Sequence, residues 1–314
     1  MHEGSRILIA TPVKNSEHEL PVFFSSILRL THPKHLVSLF LLESDSEDRT
    51  DNFIREFIIS QKTQTSDFRL QKISYRRLPV GFRMSPESRH AEDVQLRRRQ
   101  VLAQARNAIL DSADLEHVDY VLWLDVDATG FPDSLIEDLI AIKKPIVAPH
   151  VVWDFGGITY DRNSWLETYS EIFRAESGKP MFEGYGDSEG ARIYMDDFRL
   201  IARGRFAEVP LHGVGTAVLL VEAKIHREAK LKFPVEPYKR RVESEGFGLV
   251  AMDAGFQAVG LPNYEVKHVN HADFPGRSFI FSFDFILVFT VCALGLVLLF
   301  DLYRRAPKRV KKFF

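Results

Sequence analysis

The chain has 314 residues, 45% hydrophobic and 27% charged, with a formal net charge of −2, a composition that suits one large α/β domain or two smaller ones. Six of its 41 basic residues crowd positions 304–312, leaving 35 basic against 43 acidic side chains in residues 1–303, a balance of −8 that argues against a nucleic-acid-binding body. The single cysteine, Cys292, excludes an internal disulfide framework and a cysteine-based zinc site.

Taken in order, apolar runs and amphipathic stretches alternate. Arg6-Ile7-Leu8-Ile9-Ala10 reads as a first strand entering the Thr11-Pro12 turn, so no secretory signal is expected ahead of it. A helix is predicted over Phe23–Leu30, a strand over Val37–Leu42, a helix over Phe53–Gln61 and a strand over Leu70–Tyr75. This alternation predicts β-α-β units, a Rossmann-like, mostly parallel sheet flanked by helices. Residues 81–93 are polar and predict a loop, and Val94–Leu110 predicts a long helix rich in Arg, Gln and Ala.

Tyr120-Val121-Leu122-Trp123-Leu124 is an apolar strand that ends abruptly in Asp125 and Asp127. Charge at the carboxyl end of a buried strand falls where open α/β sheets bind ligands. Two carboxylates in Asp-x-Asp spacing supply hard oxygen donors suited to Mg²⁺ or Mn²⁺ on a nucleotide's phosphates; in isolation the same spacing is more often a solvated acidic turn.

Pro132 is expected to open a helix running to about Ile142, and Pro145–Pro149 to form a short buried strand. Four glycines between Gly178 and Arg192 predict a loop able to serve as a lid. A strand is predicted over Val214–Val221, a helix over Glu245–Gly255 and a last strand over Val266–Asn270, giving one domain over residues 1–272. Phe285–Phe300 then carries no charge, and extended back to Phe279 the segment would span about 33 Å as a helix, enough to cross a bilayer. Residues 279–300 are therefore expected to form a single-pass membrane helix and 301–314 a basic tail.

Four further groups bear on chemistry. Glu43-Ser44-Asp45-Ser46-Glu47-Asp48 ends the second strand, where a carboxylate either holds ribose and base groups or caps a helix. Arg99 and Arg106 lie seven apart on the long helix and so share a face, directed either at diphosphate or at solvent. His268 ends the last strand, where a neutral imidazole either completes a metal shell with Asp125 and Asp127 or is one more ordinary histidine among the eleven. Glu243 and Glu245 open a helix, where one carboxylate either orients an acceptor hydroxyl or simply caps the helix dipole.

The ordered set is more specific than any member. Thr11-Pro12-x-Lys14-Asn15, Asp45-Ser46 with Asp48 and Thr50, Arg98 to Asn107 with its Ala105-Arg106-Asn107 close, Leu122-Trp123-Leu124-Asp125-x-Asp127, His212–Ala217, Glu243–Gly248, and Gly260–Tyr264 before His268 occur in that order. The set resembles the fungal Golgi mannosyltransferases of the mannan polymerase complexes, of ANP, MNN and VAN type, over about residues 6–272. The resemblance implies a GT-A fold, GDP-mannose as donor, Mn²⁺ (or Mg²⁺) as cation, and retaining α-mannosyl transfer onto a mannose-containing N-glycan outer chain. It also implies other mannosyltransferase subunits as partners and a Golgi membrane location. By matching position, Asp125, Asp127 and His268 would hold the metal, Pro12, Asp45 and Arg106 would surround the nucleotide, and Glu245 would lie near the acceptor. Family members typically carry their membrane anchor at the amino end, whereas here the apolar segment comes last. A GT-A enzyme using a UDP-sugar, and a weakly active scaffold subunit, are the alternative readings.

Overall fold

The computed structural model describes residues 4–65, 69–83, 92–154, 157–167, 180 and 192–269. Its first half is the expected alternation: β1 (Ile7–Val13), α1 (Leu20–Arg29), β2 (Val37–Glu43), α2 (Thr50–Thr63), β3 (Lys72–Arg77), α3 (Glu92–Ser112), β4 (Tyr120–Leu124), α4 (Leu135–Ala141) and β5 (Ile146–Trp153). The second half is more irregular: β6 (Trp165–Glu167), β7 (Arg192–Tyr194), α5 (Met195–Arg199), β8 (Val209–Leu211), β9 (Val218–Glu222), α6 (Ala223–Arg227), α7 (Glu243–Asp253) and β10 (Ala258–His268).

Eight strands form one sheet in the order β3-β2-β1-β4-β9-β5-β10-β8, and β6 and β7 pair separately. β1, β2, β3 and β4 are parallel, as are β5 and β10; β9 runs antiparallel to both β4 and β5, and β8 antiparallel to β10. The carboxyl ends of six strands therefore meet at one edge. The chain reverses its direction of travel across the sheet between β1 and β4, which is where such sheets open a ligand crevice. Thr11 on β1 spans that point, its hydroxyl donating to the Leu124 carbonyl at 2.8 Å.

Both faces of the sheet are covered, which is why the strands read as continuous apolar runs. On one face α1 lays Leu20, Phe23, Phe24 and Ile27 against Ile9, Leu39 and Leu122, a stripe at helical spacing. Phe24 stacks on Phe57 of α2, with ring centroids 3.8 Å apart. On the other face α3 and α7 cover Trp123, Leu219 and Val221, and Phe233 meets the Trp123 ring edge-on at 5.0 Å.

Some boundaries differ from the sequence reading, for identifiable reasons. β9 starts at Val218, four residues late, because Val214–Ala217 turn toward the ligand edge, where the Ala217 carbonyl accepts from Asp125 N–H at 2.9 Å. β10 starts eight residues early, at Ala258, because a register shift between Leu261 and Glu265 absorbs Pro262 and lets the strand continue. No helix among the described residues is long and apolar enough to cross a membrane. The expected membrane helix at 279–300, the tail at 301–314 and the glycine-rich loop, Arg192 and residue 180 aside, lie outside the described residues.

Candidate active site

The carboxyl edge is built outward from the end of β4. Asp125 and Asp127 follow its last apolar residue, and β10 brings His268 alongside: His268 Nε2 and Asp127 Oδ2 are 2.9 Å apart, and Val269 N–H donates to the Asp127 carbonyl at 2.8 Å. Asp127 Oδ1 and His268 Nδ1 are buried without a hydrogen-bond partner. Asp125 points instead toward the long helix, with Arg106 Nη2 at 3.4 Å. Among the described residues no group of three or more His, Cys, Asp or Glu side chains stands close enough to hold a metal ion. The structure thus brings together two of the three expected ligands and sets the third beside an arginine.

Asp125 lies just past the carboxyl end of β4, with 36% of its side chain accessible. Its pKa is pushed up to about 7, chiefly by lost hydration; Arg106 opposes the rise, and the charges of Asp127, Asp161 and Glu243 add to it. Four carboxylates against few cations is an arrangement that a divalent cation relieves, and a carboxylate oxygen and an imidazole nitrogen left unpartnered are donors of the type Mn²⁺ accepts. The donor types of Asp127 and His268 suit such an ion, while Asp125 is turned toward Arg106.

Arg106 is almost fully buried on α3. Its Nη1 lies 2.8 Å from Glu243 Oε1, and its Nη2 donates to Thr216 Oγ1 at 2.6 Å. Arg99 lies two turns earlier on the same face, as its spacing predicts, and donates to Glu243 Oε2 at 3.3 Å and to Asn163 Oδ1 at 3.1 Å. Both arginines therefore lean on one carboxylate, whose pKa is drawn down by them despite burial. Sequence reasoning noted Glu243 only as one of two acidic residues at a helix start. Its backbone, at φ 59°, sits in the left-handed region that a glutamate rarely adopts, a strain that accompanies functional positions.

Glu245, in the first turn of α7, is 1% exposed. It accepts from Trp165 Nε1 at 3.1 Å and lies 3.3 Å from Arg192 Nη2 and 3.7 Å from Arg241 Nε, while both guanidiniums also stand over the Trp165 ring. The structure thus places Glu245 inside a buried ionic cluster. Asp161 is a second residue that sequence reasoning missed: its Oδ1 accepts from Asn163 N–H at 3.0 Å and its Oδ2 from Ala217 N–H at 3.3 Å. A Cβ at Gly215 would collide with the Asp161 carboxylate, which explains the second glycine of His212-Gly213-Val214-Gly215.

On the other side of β4, the loops after β1 and β2 brace each other. Asn15 N–H donates to Ser46 Oγ at 3.0 Å, Glu47 N–H to Asn15 Oδ1 at 2.8 Å, Ser16 N–H to Thr50 Oγ1 at 2.7 Å and Glu17 N–H to Asp48 Oδ2 at 3.0 Å. Asp45, also left-handed at φ 52°, accepts from Val80 and Gly81 N–H through Oδ2 at 3.0 and 2.9 Å, and Lys14 Nζ donates to the Phe82 carbonyl at 2.7 Å. Pro12 is half-buried, paired with Leu42 in the sheet. The Asp45 oxygen that the sequence offered to a nucleoside is thus engaged by the Val80 and Gly81 amides of the neighbouring loop.

The chain has recognisable relatives. The chain is 30% identical over 275 residues to the mannan polymerase II complex anp1 subunit of Schizosaccharomyces pombe, a match covering 84% of this chain and 64% of that protein. It is 32% identical over 286 residues to the mannan polymerase complex subunit MNN9 of Candida albicans, covering 86% and 76%. The chain thus spans about two thirds to three quarters of these relatives. Among solved structures, the mannosyltransferase PcManGT of Pyrobaculum calidifontis, bound to GDP-Man and Mn²⁺, aligns over 88% of this chain and 59% of its own with a TM-score of 0.48 and 12% identity. The Anp1 family model matches residues 1–237, and the chain belongs to the Anp1 family.

Proposed function

We propose that the chain is a metal-dependent, GT-A-type mannosyltransferase that moves mannose from GDP-mannose to a mannose-containing glycan with retention, as one subunit of a mannosyltransferase assembly held at a Golgi membrane by residues 279–300. The observation that carries this reading is the pairing of Asp127 with His268, each with an unpartnered buried atom, beside Asp125 and the doubly anchored Arg106 at the switch point of the sheet. Membership of a family whose relatives are named as mannan polymerase subunits supports the choice of mannose and of partner subunits.

When a sugar–diphosphate bond breaks, negative charge gathers on the departing diphosphate, so groups that meet that charge as it develops lower the barrier. Asp127, His268 and Asp125 would hold Mn²⁺ or Mg²⁺, which supplies Lewis-acid stabilisation of that charge. Arg106 adds a fixed cation. Its ion pair with Glu243 and hydrogen bond to Thr216 hold the guanidinium in place before substrate arrives, so little reorganisation accompanies the reaction. In a retaining transfer the acceptor approaches from the face the nucleotide leaves, and the departing diphosphate takes the acceptor's proton, so no protein nucleophile is needed.

The test is to incubate the full chain with GDP-mannose, Mn²⁺ and a short mannose oligosaccharide and to map the product linkage. Formation of an α-linked product that requires the metal supports the reading. Turnover of UDP-sugars in preference to GDP-mannose, or a trapped mannosyl-protein adduct, would overturn the donor or the mechanism respectively.

A further inference from the structure

The strand beside His268 carries an apolar surface that the catalytic reading above leaves unused. β5 folds back on itself after Trp153: Trp153 N–H donates to the Ile158 carbonyl at 2.9 Å, Tyr160 N–H donates to the Val151 carbonyl at 2.9 Å, and Val152 bridges Thr159. Alternation sorts the side chains of this hairpin. His150 and Thr159 share one face, where His150 Nε2 and Thr159 Oγ1 meet at 2.8 Å. Trp153, Ile158 and Tyr160 share the other.

That second face adjoins the metal-type pair. Trp153 lies in register with His268 across β5 and β10. The Tyr160 ring stacks on the His268 imidazole with centroids 3.4 Å apart and planes 15° from parallel, and Trp153 meets the imidazole edge-on at 6.0 Å and Tyr160 at 4.7 Å. Both aromatic residues are half-buried, and Ile158 is 59% exposed. An isoleucine so exposed, next to two partly accessible rings, is an apolar wall at the rim of a carboxylate-lined crevice, and surface of this kind marks binding. A pyranose ring has matching halves, one face of C–H bonds for the wall and a rim of hydroxyls for Asp125 and Asp127.

Sheet order says which sugar. The braced loops after β1, β2 and β3, where a nucleotide would sit, lie on one side of β4, and β5 and β10 lie on the other. A ring on the hairpin is therefore across the carboxylates from the nucleotide. We propose that Trp153, Ile158 and Tyr160 form the acceptor subsite and receive the mannopyranose ring to which sugar is added. The inference rests on the mannosyltransferase reading for its choice of ligand, and it assigns specificity to a hairpin rather than to the buried Glu245.

The test titrates the full-length protein with α-linked mannobiose, followed by ligand-observed NMR and tryptophan fluorescence, with GDP titrated separately. The wild type is expected to bind mannobiose, Trp153→Ala to weaken it about tenfold, Ile158→Ser to weaken it about threefold, and Trp153→Phe to restore most of the loss. Ile158→Ser removes an exposed side chain and keeps the wild-type melting temperature, so the test survives if Trp153→Ala fails to fold. Absence of mannobiose binding by the wild type, or equal affinity in Ile158→Ser, Trp153→Phe and wild type, overturns the proposal. Failure to bind GDP while the mannobiose contrast persists sinks the donor assignment and leaves the hairpin assignment standing.

Discussion

At the scale of single residues, the site separates into side chains that face the crevice and side chains that hold them. Asp127 belongs to the first class: its side chain is 24% exposed and its one close partner is His268. Asp127→Ala is therefore expected to reduce transfer from GDP-mannose at least a hundredfold while leaving the far-ultraviolet spectrum and melting temperature near wild type, since no buried charge is stranded. Measured donor turnover by a folded Asp127→Ala protein at the wild-type rate would remove Asp127 from the metal assignment. Glu243 belongs to the second class. At 2% exposure it pairs with Arg99 and Arg106 together, and Glu243→Gln replaces the charge they share with a neutral amide. Breaking a buried pair in this way costs about 3–5 kcal/mol, so the melting temperature falls and the turnover number falls with it as Arg106 loses its fixed position. An unchanged melt would show that the arginines are not held by this carboxylate.

At the scale of elements, helix α6 behind β4 carries a pH-sensitive contact. His226 packs edge-on to Trp123 at 6.0 Å and near-parallel to Phe247 at 5.4 Å; its Nδ1 meets the Leu231 carbonyl at 2.8 Å, and its Nε2 has no partner. Burial pushes its pKa down to about 4 from an ordinary 6.5. Between those values the unfolded chain binds the proton and the folded chain does not, so this contribution to stability is full above pH 6.5 and is lost as the pH falls toward 4, by about 3 kcal/mol in all. Denaturant unfolding at pH 7 and pH 5 is expected to show a smaller loss for His226→Phe than for wild type. Equal losses would place the imidazole in contact with water.

Legibility followed the same scale. β1, β2, β4 and the long helix α3 declare themselves because burial on both faces leaves uninterrupted apolar runs and because a long helix repeats its period several times. The three-residue β6, β7 and β8 and the five-residue α5 and α6 are too short to repeat any period, so tertiary pairing alone defines them. Asp125, Asp127, His268 and Arg106 were legible from charge appearing at strand ends or amid apolar residues. Glu243 was obscured by Glu245 two residues later, since a helix-opening Glu-x-Glu does not say which carboxylate turns inward to an arginine. Asp161 and Trp165 had no signal, because they act through loop contacts to Gly215 and Gly213 that only the fold creates.

At the scale of the whole molecule, the sheet divides labour across β4: cross-braced loops over β1 to β3 on one side, the β5 hairpin and β10 on the other, and the carboxylates between. The bracing from Asn15 to Thr50 and the Asp45 contacts to residues 80–81 tie these loops to one another, and the free energy of a ligand that binds only the folded chain appears as stabilisation of that state. Ligand at a hundred times its dissociation constant adds about 2.7 kcal/mol. For a domain of this size that raises the melting temperature by about 5 °C. GDP with Mn²⁺ is expected to produce such a shift, GDP with a chelator a smaller one, and Asp127→Ala none that depends on the metal. The same melt separates an enzyme from a scaffold subunit: a chain that binds GDP and Mn²⁺ with this shift yet transfers no mannose alone points to a partner completing the acceptor side, whereas a melt unmoved by either ligand removes the nucleotide site on which the catalytic reading stands.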